Sequence, residues 1–245
     1  MRFSLKILIF ILLSVSLSAQ EVPLKFEIDS IANNNLNSNR RVYSIHYHVE
    51  NKTNHPVSFF LIPHSLIANA ASSMTLFPVY RIFQNDVATE LDGPFFEKYD
   101  RDEVLLELSD LKDPDFESKA KNFMKKINED RRNTVEIYKK NGGKSNDELW
   151  IYENHKLLAS KIVLQPNEVK KLKIVTSWDK KRYYIQDNIE FYLNENDKYE
   201  IEFTFNLMKT LFKDKLSEAE FKALEIDKNH VQGVFITNKM AIDFK

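Results

Sequence analysis

The chain has 245 residues, a formal net charge of -1, no cysteine and only four glycines. So even a charge balance gives no general attraction for nucleic acid or an anionic membrane, and the missing thiols exclude disulfides, thiolate catalysis, thiolate zinc sites and a lipoprotein anchor. Gly93, Gly142, Gly143 and Gly233 have none of the spacings of a P-loop, a dinucleotide fingerprint or a G-x-S-x-G elbow.

At the amino terminus Arg2 and Lys6 precede an apolar run from Ile7 to Leu17, followed by the small residues Ser18 and Ala19. This pattern predicts a secretory signal peptide over residues 1–19, cut after Ser18 or Ala19, and therefore export to the periplasm or the extracellular space. The run is shorter than the roughly 20 residues a spanning helix needs, and no later segment approaches that length. No transmembrane segment is expected after signal removal. The mature part, 20–245, reads as one domain whose core alone must hold it together.

Alternation then dominates. Val22, Leu24, Phe26 and Ile28 share one face of a first strand. After an asparagine-rich loop, Tyr43, Ile45, Tyr47 and Val49 share a face of the second, with Ser44, His46, His48 and Glu50 opposite. His55 to Ile62 and Leu76 to Gln84 read as further strands. From Asp102 the period becomes helical. Val104, Leu105, Leu108 and Leu111 recur at three and four, and Asp113-Pro114 then opens a longer helix with an apolar stripe of Phe116, Ala120, Phe123, Ile127, Val135 and Tyr138. Gly142-Gly143 ends it. A helical hairpin over about 102–145, its stripe packed on the strands, is therefore expected as an insertion.

Strands resume with Lys161 to Leu164, a turn at Gln165-Pro166-Asn167-Glu168, and the alternation of Leu172, Ile174, Thr176 and Trp178. Lys198 to Leu207 is the most regular strand, with Tyr199, Ile201, Phe203, Phe205 and Leu207 on one face. Ser217 and Glu220 form a capping box for one short C-terminal helix, with Leu216 and Phe221 as its hydrophobic staple. Val234 to Ile236 and Ala241 to Phe244 close the chain as a hairpin. The fold class is mainly β: an antiparallel β-sandwich with an inserted helical hairpin.

Asn196-Asp-Lys-Tyr199 resembles the tyrosine corner of immunoglobulin-like sandwiches, and Leu164-Gln-Pro-Asn-Glu168 resembles the turn ahead of that corner in bacterial extracellular sandwich domains. Gly233 to Asn238 is similar to their last hairpin. With the Ser-Ala-Gln signal end and a composition rich in Lys, Asn and Ile, the chain resembles exported immunoglobulin-like proteins of unknown function from the Bacteroidota. That resemblance implies the immunoglobulin-like form of the sandwich.

Four of the six histidines, His46, His48, His55 and His64, fall in one window. His46, His48 and Glu50 share a strand face at a spacing workable for a metal, the basis of a metal-dependent hydrolase. The competing expectation is a solvent-facing strand without metal. Trp178, Tyr183 and Tyr184 gather aromatics beside basic residues, as carbohydrate-binding faces do, although the alternation turns Trp178 inward. The function expected is an exported, non-enzymatic binding or assembly module without cofactor, acting on a protein or glycan partner and not on nucleic acid.

Overall fold

The structure, a computed structural model, describes residues 22–33, 40–68, 76–89, 94–95, 116–179 and 191–245. The protein is mainly β. β1 (Leu24–Asn33), β2 (Arg40–Asn51) and β9 (Val169–Asp179) form one antiparallel sheet in that order. A second sheet centres on β11 (Tyr199–Leu207). On one side β11 pairs with β5 (Val79–Gln84), which carries β4 (Ile67–Ala68) and β6 (Val87–Thr89). On the other it pairs with β12 (Gly233–Ile236) and β13 (Met240–Ile242) in succession. Among the described residues there are also two small pairs, β3 (Val57–Phe60) with β8 (Lys161–Leu164), antiparallel, and β7 (Pro94–Phe95) with β10 (Phe191–Tyr192), parallel.

The inward faces are the ones the alternation marks, except that Val22, assigned to the first strand, precedes β1 and is exposed. Phe26 of the first sheet stacks on Phe205 of the second at 3.9 Å, and Tyr47 meets Phe203 edge-on at 5.9 Å. Such pairs combine large apolar burial with favourable ring geometry. At the other end Trp178 lies 5.3 Å from Tyr43, 5.5 Å from Tyr80 and 5.9 Å from Phe244. The tail crosses between sheets here: Arg41 Nε donates to Phe244 O at 2.8 Å, and the Tyr43 hydroxyl donates to Asp243 O at 2.9 Å.

Between β2 and β3 the chain turns a corner on Asn51, which is fully buried. Its Nδ2 donates to the carbonyls of His55 and Gln165 at 2.9 Å and of Leu164 at 3.3 Å. Its Oδ1 accepts from Thr53 N at 2.9 Å and from the Thr53 hydroxyl at 2.8 Å. One side chain thus joins the β2–β3 corner to the β8–β9 turn. That second turn has Pro166 and a positive-φ Asn167 (59°), where Asn supplies the conformation glycine usually provides.

The helical region differs from expectation in two respects. α1 (Phe116–Lys140) ends as anticipated: Gly142 adopts φ 84°, and Gly143 N donates to Tyr138 O while Gly142 N donates to Lys139 O, both at 3.0 Å. Its partner, however, is a helix the sequence analysis did not anticipate, α2 (Glu148–Ala159), capped by Asp147, whose carboxylate accepts from Trp150 N at 3.0 Å. The anticipated helix over 102–111 lies outside the described residues. Moreover, Phe123, assigned above to the packed stripe, is 64% exposed. The cause is length, since α1 has 25 residues and α2 only 12, so their contacts involve the later half of α1, with Tyr138 against Trp150 and the Tyr152 hydroxyl on Asp130.

A second core joins α2 to the strands. Leu157 packs in one cluster with Phe60, Phe212, Leu216 and Leu224. These come from a 3-10 helix (Thr210–Lys215) and α3 (Glu218–Ile226), whose Ser217–Glu220 capping box is formed as the sequence indicates. Asn154 fastens α2 there, donating to Lys215 O and to Glu220 Oε2, each at 3.0 Å.

Candidate functional site

The histidine window is spread rather than convergent. His46 stands exposed on the outer face of β2. His48, on the same face, is taken up by β1, with Nδ1 2.7 Å from Asp29 Oδ1 and Nε2 3.9 Å from Glu27 Oε2. Asp29 reaches it from the register shift between Ile28 and Ser30, where a bulge re-aims the side chain. Glu50 is engaged by Lys52 Nζ at 2.7 Å. His55 Nδ1 lies 3.2 Å from Pro56 O, and His64 Nδ1 lies 3.1 Å from Lys173 O. Among the described residues, no group of three or more ligating side chains is placed to hold a metal ion.

Trp178 is buried, and its indole N–H donates to the Tyr80 hydroxyl at 3.2 Å. It is a core residue and not part of an exposed platform, as its alternation indicates. Tyr183 and Tyr184 lie outside the described residues.

Sequence analysis missed the cleft where the polar groups do converge. It encloses about 770 Å³ and is built from the turn after β2 (Lys52 to His55), Asn167, Lys209 and the segment from Glu225 to Gln232. Buried His230 lines it. Three backbone and side-chain contacts to β3 hold that histidine in place. Ser58 N donates to Asn229 O and Val231 N to Ser58 O, both at 2.8 Å, while Ser58 Oγ lies 3.1 Å from His230 Nδ1. The ring also packs 5.0 Å from that of Phe60.

Ser58 Oγ is the one hydrogen-bond partner of Nδ1 among the described residues; with that hydroxyl as the donor, the neutral ring carries its proton on Nε2. Lys209 Nζ donates to Asp227 O at 2.7 Å, fixing an ammonium nearby, and the Asp227 carboxylate accepts from Asn229 N at 2.9 Å. The residues lining the cleft thus combine His230 with Lys52, whose ammonium also pairs with Glu50, with Lys209 and Lys228, and with the acids Glu225 and Asp227. Ser58 itself does not line it. Such a set suits a polar ligand with several acceptors and a donor. No local motif signals the site, because Ser58 and His230 are 172 positions apart.

Burial, then the ammonium groups of Lys209 and Lys161, push the His230 imidazole down to about 4, against an opposing pull from Asp227. The unfolded chain takes up this proton near 6.5, so between those values it binds more protons than the folded form. Stability from the buried neutral ring is complete above about pH 6.5 and is lost as pH falls toward about 4. We expect the wild type to lose about 2 kcal/mol more than His230→Gln between pH 7 and about 4.5, measured by urea unfolding. Equal slopes in the two proteins would contradict the assignment.

No family model matches the chain, and neither a curated protein nor a solved structure matches it.

Proposed function

We propose that the protein is an exported, non-enzymatic binding module on an immunoglobulin-like sandwich with a helical insertion, and that the cleft beside His230 is its ligand site. The observation that carries this is the convergence of polar side chains from four separate segments around about 770 Å³. Loops at one end of a rigid β scaffold are where recognition concentrates.

The scaffold part of the proposal draws support from strand order. β1-β2-β9 and β12-β11-β5 are ordered like the A-B-E and G-F-C neighbours of that architecture, and α1 and α2 fall between the strands equivalent to C and E. The Tyr199 hydroxyl accepts from Asn194 N at 3.0 Å, a bond back to the upstream backbone like that of a tyrosine corner.

Two experiments test the proposal. Intact mass of the protein recovered from the periplasm or medium should show loss of the residues through Ser18 or Ala19, whereas a full-length cytoplasmic product would contradict export. For the cleft, a thermal-shift panel of neutral disaccharides, dicarboxylates and phosphorylated sugars should yield a stabilising compound, by about 2.7 kcal/mol at a hundredfold excess over Kd. Gln232→Trp, which fills the cleft from an exposed position, should abolish that shift. Stabilisation undiminished in the variant would move the site elsewhere, and turnover of a panel compound would replace binding by catalysis.

A further inference from the structure

The lining of the cleft beside His230 narrows the kind of ligand it would take, a step that rests on reading the cleft as the binding site. His230 is only 5% exposed, and its Nδ1 lies 3.1 Å from Ser58 Oγ. Its Nε2 has no hydrogen-bond partner among the described residues, yet the buried polar atoms left unsatisfied there are Arg81 Nε and Thr204 Oγ1. Solvent therefore reaches Nε2, and the cleft is the open space that the ring borders. A side chain held almost wholly inside the protein thus presents one unpaired nitrogen to the cavity. With Ser58 as the donor to Nδ1, that nitrogen carries a proton and lacks an acceptor.

Charge narrows the choice further. Lys52 is matched by Glu50 at 2.7 Å. That leaves Lys209 and Lys228 against Glu225 and Asp227, two cations and two anions. Lys209 Nζ donates to Asp227 O at 2.7 Å and pairs with no carboxylate among the described residues, while Asp227 Oδ1 accepts from Asn229 N at 2.9 Å. Both charges act on the His230 ring, the ammonium opposing its protonation and the carboxylate favouring it, so opposite signs stand near one donor. Glu225 and Lys228 are exposed and without partners among the described residues. A ligand with a net charge of either sign would meet two like charges here. One that carries both signs matches both sets.

We propose that the cleft binds a short peptide with both ends free, its carboxylate accepting from His230 Nε2–H beside the Lys209 ammonium and its terminal ammonium lying against Asp227 and Glu225. The volume of about 770 Å³ falls among those of sites that take drug-sized molecules, a size class that includes a di- or tripeptide.

The probes are trialanine, N-acetyl-trialanine and trialanine amide, titrated calorimetrically into the mature protein at neutral pH. Trialanine should bind saturably, and capping either end should weaken binding by about tenfold or more, as expected for loss of a charge-assisted contact. Lys209→Gln keeps a donor for Asp227 O but removes the charge, so it should weaken trialanine and leave the amide unaffected. Glu225→Gln, at an exposed position, should weaken trialanine and leave the N-acetyl peptide unaffected. Equal affinities for the three probes overturn the proposal, and so does undiminished trialanine binding by Gln232→Trp, which would place the peptide outside the cleft. If trialanine fails to bind while a sugar or dicarboxylate of the thermal-shift panel is held in the cleft, the peptide is the wrong ligand class and the cleft remains a binding site. If neither binds, both readings fall.

Discussion

Phe205→Ala is expected to lower stability by about 3 to 5 kcal/mol, the largest effect of any single side-chain truncation considered for this fold. Phe205 sits at mid-core, fully buried on the central strand β11, stacked on Phe26 and 5.9 Å from Tyr47. Its ring therefore touches both sheets. Alanine removes the transfer free energy of the ring and leaves a cavity that rigid strands on either side fill only partly. Phe123→Ala is the natural comparison, because the same chemical change at an exposed position should fall within about 0.5 kcal/mol. Urea unfolding of the two variants measures both values. Similar losses would mean that Phe123 is covered and Phe205 is not at the centre.

The second large effect belongs to Asn51→Ala, for which we expect about 3 kcal/mol or more from the loss of a buried network. The substitution leaves three carbonyls, of His55, Leu164 and Gln165, without their amide donor, and Thr53 without its acceptor. Buried groups deprived of partners carry a desolvation cost that a simple count of lost bonds understates. Asn51→Asp separates the two halves of the network. The carboxylate still accepts from Thr53 but cannot donate, and it faces three carbonyl oxygens, so it should be no better tolerated than alanine. A variant with Asp at wild-type stability would show that the Thr53 contacts alone hold the corner.

These two residues also mark what could and could not be read in the chain. Phe205 is visible from period alone, since Tyr199 to Leu207 alternates without a break and the buried face follows it residue by residue. The Ser217 box and the Gly142 stop are equally local, each requiring only neighbours within one turn. Asn51, by contrast, looks like an ordinary turn asparagine. Its importance comes from Leu164 and Gln165, more than a hundred positions away.

α2 escaped notice for a different reason. Its inward face includes buried Asn154 among Ile151, Tyr152 and Leu157, so the apolar stripe is interrupted by a side chain whose partners, Lys215 and Glu220, lie far along the chain. The β5–β6 hairpin was likewise hidden, because its turn uses Asn85 and Asp86 at φ 51° and 64° without glycine. The cleft combines both difficulties. His230 follows a polar turn, and only the parallel bridge to Ser58 turns it into the cleft wall.

The ring nitrogens of His230 test the cleft as the binding site most directly. In the ¹⁵N-labelled mature protein at neutral pH, the imidazole should be the neutral form with its proton on Nε2 and Nδ1 accepting from Ser58. Saturation with a compound that stabilises the protein in the thermal-shift panel should move the Nε2 resonance and leave Nδ1 nearly unchanged. If the compound binds while both ring nitrogens stay where they were, and the shifts appear on another surface, the cleft is not the site.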